Sequence, residues 1–297
     1  MNKKYLVSLS GGKDSQAAAN FMLKNYPKYQ LVFYFCDTGW EDDETYQHIA
    51  YLEKAWGVTI HRVASEKYDG FEDLCEKRKG FPTRQGRFCT IELKLIPSIK
   101  FIKSYRDAGY KVVNVVGVRA DESKTKKLKK PKIINGVAWW IQPARDVENV
   151  WKSVFMGEGL PKSKKAIKQY YTKENAVTTY QPVVYWSARD VLEYNILSGT
   201  KNNPLYAKGH TRVGCMPCIM ANNLEVGLLQ DFHIARIKEL EARVASASSL
   251  NDGDKPTFFQ NKSKDGRKQG IDEYARKRAY NTLLFELGCI NQFGICE

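Results

Sequence analysis

The sequence lacks any apolar run that could cross a membrane, since nothing in it approaches the roughly 18 residues a spanning helix needs. Its early apolar stretch, Tyr5 to Leu9, is cut short by Ser10-Gly11-Gly12 and is too brief for the core of an export signal. Cysteine is sparse and odd in number, seven among 297 residues, and its spacing is not that of a disulfide framework. These absences lead to the expectation of a cytoplasmic protein with reduced thiols and no membrane partner. No internal repeat is present, which excludes solenoids and propellers. Acidic residues are in short supply: 33 Asp and Glu face 47 Lys and Arg, for a formal net charge of +14. That excess favours a polyanionic partner, whether nucleic acid, nucleotide or acidic protein. What is present is ordinary globular material, 43% hydrophobic and 27% charged, and this excludes a wholly disordered chain.

The first 120 residues alternate between two periodicities. Tyr5 to Leu9, Leu31 to Phe35, Thr59 to Val63 and Lys111 to Val118 read as strands, the second as continuously apolar as a strand covered on both faces. Asp14 to Asn25, Glu44 to Trp56 and Glu92 to Ala108 read as the helices between them. The order βαβα predicts a doubly wound parallel α/β sheet, with ligands bound beyond the carboxyl ends of its strands. Trp139 to Pro143 reads as a further short strand, and Ser187 with Asp190 as the capping box of a helix. Residues 201–218 form a loop rich in Asn, Gly and Pro, Asn223 to Ser246 reads as one amphipathic helix, and Asn251 to Gly270 as loose polar chain. The domain reading is therefore an α/β nucleotide-binding domain over 1–200 and a mainly helical region carrying a C-x-x-C loop over 201–297.

Ser10-Gly11-Gly12-Lys13-Asp14-Ser15 lies between the first strand and the first helix, after Ser8 in the strand itself. Two glycines let backbone approach a ligand closely, and the following helix end offers N–H groups and a positive dipole to phosphate. Lys13 and the hydroxyls of Ser10 and Ser15 add charge and donors. The glycine spacing is shorter than in the Walker pattern. The second strand closes on Cys36-Asp37-Thr38-Gly39-Trp40, and the fourth on Gly117-Val118-Arg119-Ala120-Asp121-Glu122-Ser123. Three such segments at successive strand ends share one edge of the predicted sheet.

Ser10 to Ser15 resembles the PP-loop of the ATP pyrophosphatases. The strand-end segments are similar to those of the phosphoadenylylsulfate (PAPS) reductase family. The resemblance implies an adenine nucleotide, ATP with Mg²⁺, held by Ser8, Ser10, Gly11, Gly12, Lys13, Asp14, Ser15, Asp37, Thr38, Gly39, Gly117 and Arg119. It implies cleavage between the α and β phosphates, with Lys13 and Asp14 in catalysis and Arg119 on phosphate. Asp14 or Asp37 would orient the cation, and helix capping is an equal reading of Asp14.

Cys89 precedes a helix, and Cys215 and Cys218 form a C-x-x-C in a glycine-rich loop. Their flanks, Arg87 to Lys94, Asn203 to Tyr206 and Arg212 to Gly214, resemble the same family, whose cluster-bearing members hold [4Fe–4S] through cysteines at these places. Thr90 stands where adenylylsulfate reductases have a second adjacent cysteine, leaving Cys89, Cys215 and Cys218 as ligands, with Cys75, Cys289 or Cys296 as candidates for a fourth. Zinc with His210, a reactive thiolate at Cys89, and metal-free thiols are the alternatives.

Three functions follow from the resemblance. The first is an ATP pyrophosphatase that adenylates an acceptor for sulfur transfer. The family's DNA phosphorothioation enzymes are its nearest analogy, tRNA or DNA is the acceptor, and a sulfur or electron donor protein is a partner. The lysine runs at 124–132 and 162–168 suit that acceptor, though a solvated basic face explains either run as well. The second is reduction of PAPS or adenylylsulfate. The complete loop opposes it, as does the lack of a Glu-Cys-Gly-Leu-His segment near the C-terminus, where Cys289 and Cys296 stand in other surroundings. The third is a non-catalytic nucleotide or nucleic-acid binding module.

Overall fold

A computed structural model describes residues 3–83, 86–119, 132–134, 137–140, 178–248, 255–259 and 268–275, with backbone alone for 132–134 and 137–140. The chain divides into two units: residues 1–36, 49–63 and 95–202 form the first, and 37–48, 64–94 and 203–297 the second.

The first unit is built on a seven-stranded sheet. Its strands are β1 (Lys3–Leu9), β2 (Leu31–Cys36), β3 (Ile60–Val63), β4 (Lys111–Val115), β5 (Lys132–Ile134), β6 (Val137–Trp140) and β7 (Thr178–Tyr180), in the order β3-β2-β1-β4-β7-β6-β5. From β3 to β7 all pairings are parallel, and β5 and β6 add an antiparallel edge. Every residue of β2 is buried, as its unbroken apolar run requires of a strand covered on both faces. One face carries Leu6, Val32 and Tyr34 against Ile102 of the helix Ile96–Asp107. The opposite face carries Phe33 against Trp56, at the end of α2 (Asp43–Trp56), with ring centroids 5.7 Å apart. Period-two alternation sends neighbouring side chains to opposite layers in this way. α1 (Lys13–Asn25) buries Ala17 and Ala18 against Val183 and Val191, the latter on the helix Ala188–Leu197.

The second unit packs around Trp40, Phe71 and Phe258, whose ring centroids lie 5.0 to 6.0 Å apart. Its helices include α3 (Gly70–Arg78), then α6 (Asn223–Gly227) and α7 (Asp231–Ala247), where α4 and α5 denote Ile96–Asp107 and Ala188–Leu197. Ile237, Leu240 and Val244 form the buried stripe of α7.

Three elements depart from the sequence reading. The helix expected over Asn223 to Ser246 is two helices, because Asn222 with Glu225 closes a capping box at the first start, and at the second the Gln230 amide donates to His233 Nδ1 at 3.3 Å. The helix expected from Glu92 begins at Phe88 and widens into a π-helical turn over Ile91–Leu95. Pro97, two residues into α4, has no N–H for the carbonyl four residues back, so the regular ladder cannot run through this stretch. Within the stretch read as loose, Phe258 is 1% exposed at the centre of the second core. The lysine runs at 124–130 and 162–168, the segment 120–123, residues 141–143, and Cys289 and Cys296 lie outside the described residues.

Candidate functional site

β1 ends at Leu9 and α1 starts at Lys13, so Ser10-Gly11-Gly12 makes the whole turn. Gly11 has φ of +75°, a region that side chains with a Cβ resist. Gly12 is the N-cap of α1 in extended conformation, so the loop stands at the dipole-positive end of the helix. The serines brace the turn from within. Ser15 Oγ donates to the Gly12 carbonyl at 2.9 Å and accepts from the Ser10 amide at 3.1 Å, and the two hydroxyls lie 3.1 Å apart. Lys13 is buried at 6% exposure, and its carbonyl accepts from Asn195 Nδ2 at 3.1 Å.

Asn195, wholly buried on α5, was not read from the sequence as part of the site. Its side chain also donates to Asn202 at 2.9 Å and accepts from Asn20 at 3.0 Å. Thr200 and Gln16 extend this set of amides, and each bond in it runs 2.8 to 3.1 Å.

The exit of β4 lies beside the loop. The order β2-β1-β4 reverses direction between β1 and β4, and at such a switch point diverging connections open a crevice beyond the strand ends. Gly117 packs there directly on the first turn of α1. A Cβ on it would stand 2.3 Å from the Asp14 carbonyl oxygen and 2.5 Å from Ser15 Cα. Two residues on, Arg119 is 7% exposed and pairs with Asp14, Nε to Oδ1 at 2.5 Å. The group expected on phosphate is thus held by the group expected on the cation.

In the second unit, Asp37 Oδ1 accepts from the Gly39 amide at 2.9 Å and the Tyr46 hydroxyl at 2.7 Å. Burial, reinforced by Asp37, pushes the Tyr46 hydroxyl well above its ordinary range. Gly39 has φ of +64°, and the Thr38 carbonyl accepts from the Phe71 amide at 2.8 Å. Thr38 is itself buried and donates through Oγ1 to Glu41 at 2.8 Å. Glu41, 3% exposed and passed over in the sequence, gathers this corner. It also accepts from the Thr38 amide at 3.2 Å and the Tyr46 hydroxyl at 3.1 Å, and it pairs with Lys94 at 3.9 Å.

Cys215 faces the same group, its Sγ 3.8 Å from Glu41 Oε1 and 3.7 Å from Thr38 Oγ1. Met216 N donates to the Trp40 carbonyl at 2.8 Å and seals the strand-like contact of Glu41 with Cys215. Burial pushes the Cys215 thiol up to about 11 despite the neighbouring Lys94. Burial also raises Cys89. Burial alone would depress Lys94, but the Cys215 sulfur in its thiolate form and the Glu41 carboxylate outweigh it and hold the ammonium more firmly protonated than usual.

Cys218 is exposed, with its sulfur accepting from the Met220 amide at 3.4 Å. Among the described residues, no three His, Cys, Asp or Glu side chains converge as a metal site. Cys215 is turned to Thr38, Glu41 and Lys94, Cys89 and Cys215 each lie within the field of Cys218, and two candidates for a fourth ligand, Cys289 and Cys296, lie outside the described residues. His210, the other zinc candidate, is lowered by burial and lies in the field of Glu225, His233 and Asp42. Cys75 is wholly buried.

A family model described as the phosphoadenosine phosphosulfate reductase domain matches residues 4–221. An uncharacterized 37.8 kDa protein of Escherichia phage 186 is 28% identical over 302 residues, covering 86% of this chain and 78% of its own. An uncharacterized protein of Methanocaldococcus jannaschii is 30% identical over 219 residues, 73% of this chain, but this chain spans only 36% of it. The tRNA-specific 2-thiouridylase MnmA of Shewanella sediminis is 30% identical over 135 residues, 41% of this chain and 36% of that one. Among solved structures, the PAPS reductase of Candida auris in its phosphate complex covers 72% of this chain and 82% of its own, at 13% identity and a TM-score of 0.46. The family model takes in both the phosphate loop and the C-x-x-C loop, and on that extent of match the chain belongs to the phosphoadenosine phosphosulfate reductase domain family of PP-loop nucleotide-binding proteins.

Proposed function

We propose that the chain is an ATP pyrophosphatase that activates an acceptor oxygen as its AMP ester and so prepares it for sulfur transfer. One observation carries the reading: the Ser10–Ser15 loop is complete and stands at the switch point of a parallel sheet, with a glycine at the N-cap of the helix that follows. A substrate cleaved between its α and β phosphates leaves pyrophosphate, whose growing charge needs fixed donors. Lys13 and the amides at the start of α1 supply them. Mg²⁺ accompanying the nucleotide would neutralise further phosphate charge. The planar guanidinium of Arg119 suits a phosphate oxygen pair.

Sulfur delivery is assigned to a thiol of the second unit: it takes the outer sulfur of a donor protein's persulfide and frees the donor's thiol, that sulfur displaces AMP from the acceptor, and an external thiol reductant cleaves the resulting mixed disulfide to release the thiolated product. Cys215 is protonated near neutral pH, and the Lys94 ammonium beside it supplies the charge that stabilises its thiolate. The excess positive charge of the chain, and a thiouridylase among its relatives, support a nucleic-acid acceptor.

The test is incubation with ATP, Mg²⁺ and candidate acceptors. Acceptor-dependent release of AMP and pyrophosphate supports the proposal. Thiol-dependent sulfite release from PAPS, with no pyrophosphate from ATP, would replace it with sulfonucleotide reduction. Lys13→Ala is expected to lower nucleotide turnover at least a hundredfold, the usual scale for removing a donor to developing charge, while circular dichroism stays unchanged.

A further inference from the structure

We infer that Asp14 serves the nucleotide site as the positioning residue of Arg119 and not as a ligand of magnesium. The inference rests on the nucleotide reading above. The two groups meet from positions 105 residues apart in the chain, and each is delivered by a fixed part of the fold. Asp14 is in the first turn of α1, where the helix end favours a negative charge. Arg119 follows Gly117, whose missing side chain lets the β4 exit lie against the Asp14 peptide itself. Backbone contact and side-chain contact therefore join the same two segments.

The pair is also withdrawn from water, at 7% exposure for the Arg119 side chain and 14% for Asp14. A charge-assisted hydrogen bond in such a place fixes geometry, because leaving either partner alone strands a buried charge. Held at Nε, the guanidinium plane cannot turn, and its orientation is set before a phosphate arrives. A divalent cation on the same carboxylate would stand against that guanidinium at contact distance, and two like charges so close repel strongly where water is scarce. Oδ1 is taken by Arg119, and a cation on the remaining oxygen would have to bear that repulsion, so the structure assigns the carboxylate to Arg119.

The experiment is calorimetric titration of the full chain with ATP, at fixed and at graded Mg²⁺, for the wild type, Asp14→Asn, Arg119→Gln and the double variant. Each single variant is expected to bind ATP about tenfold more weakly, the scale of one hydrogen bond to a charged group. The double variant should be no weaker than Arg119→Gln, because Asp14 acts through Arg119 alone. The Mg²⁺ concentration for half-maximal binding should stay the same in Asp14→Asn. A several-fold rise in that concentration, with the two substitutions multiplying, overturns the inference and leaves the nucleotide reading intact. A wild type that binds no ATP removes both.

Arg119→Ala supplies a second measurement should Asp14→Asn fail to fold. Millimolar guanidinium is expected to restore ATP binding to it, captured by the Asp14 carboxylate. Absence of any restoration counts against the positioning role.

Discussion

His48 shows how much of this protein's behaviour depends on single side chains. It is 4% exposed, and burial lowers its imidazole to about 4. An unfolded histidine titrates near 6.5, so between these values the unfolded chain binds the extra proton and stability rises with pH. The contribution is whole above about 6.5 and is lost as pH falls toward 4. It amounts to a few kcal/mol, on the order of 1.4 per pKa unit. His210 and His233 are lowered too, both chiefly by burial, and add to the same slope. Urea denaturation at a series of pH values should show a midpoint that drops between pH 6.5 and 4, with a shallower drop in His48→Gln. An unchanged slope in that variant would remove His48 from the account.

Residue-level legibility was uneven for a physical reason. Gly11 and Gly117 could be read as turn and close-approach positions because a tight strand-to-helix bend and a crowded strand exit impose local geometry on consecutive residues. Glu41 and Asn195 could not, because each acts through partners far away in the chain: Glu41 through Cys215 and Lys94, Asn195 through Lys13 and Asn20. Acidic and amide residues are too common for either to signal itself.

At the scale of elements, β1, β2, β4 and α1 were legible because a buried parallel strand and an amphipathic helix write unmistakable periods into sequence. α3 went unread although Phe71, Leu74 and Cys75 carry helical spacing, since nine residues give the period little room. β7 is only three residues long and shows no period of its own. The break between α6 and α7 was hidden because apolar residues run through it, while the caps that make it depend on side chains folding back.

The packing of α5 on α1 makes its own prediction. Asn195 joins the two helices inside the core, and Asn195→Leu replaces its amide with a group that can satisfy none of those partners. A loss of about 2–4 kcal/mol in denaturant unfolding is expected, from two or more buried polar groups left unpaired. ATP affinity should fall with it. Asn195→Leu at full stability would show that the amides tie nothing together.

For the molecule as a whole, the dominant quantity is charge. A chain at +14 that touches a polynucleotide through six phosphates should lose on the order of a thousandfold in affinity between 50 and 200 mM salt. Filter binding of tRNA or single-stranded DNA across that range measures it, and a flat salt profile would remove nucleic acid from the list of acceptors. Among the described residues no helix is long and apolar enough to cross a membrane. The division into two units, each gathering segments from several parts of the chain, was not visible in a linear reading. Composition drifts along a sequence, but a unit assembled from 37–48, 64–94 and 203–297 leaves no drift to detect.

The fit of Gly117 against α1 has a mechanical consequence. With a hydrogen as the only spacer, that joint leaves no room for another atom: a methyl group there would press on the Asp14 peptide and force the β4 exit and the opening turn of α1 apart.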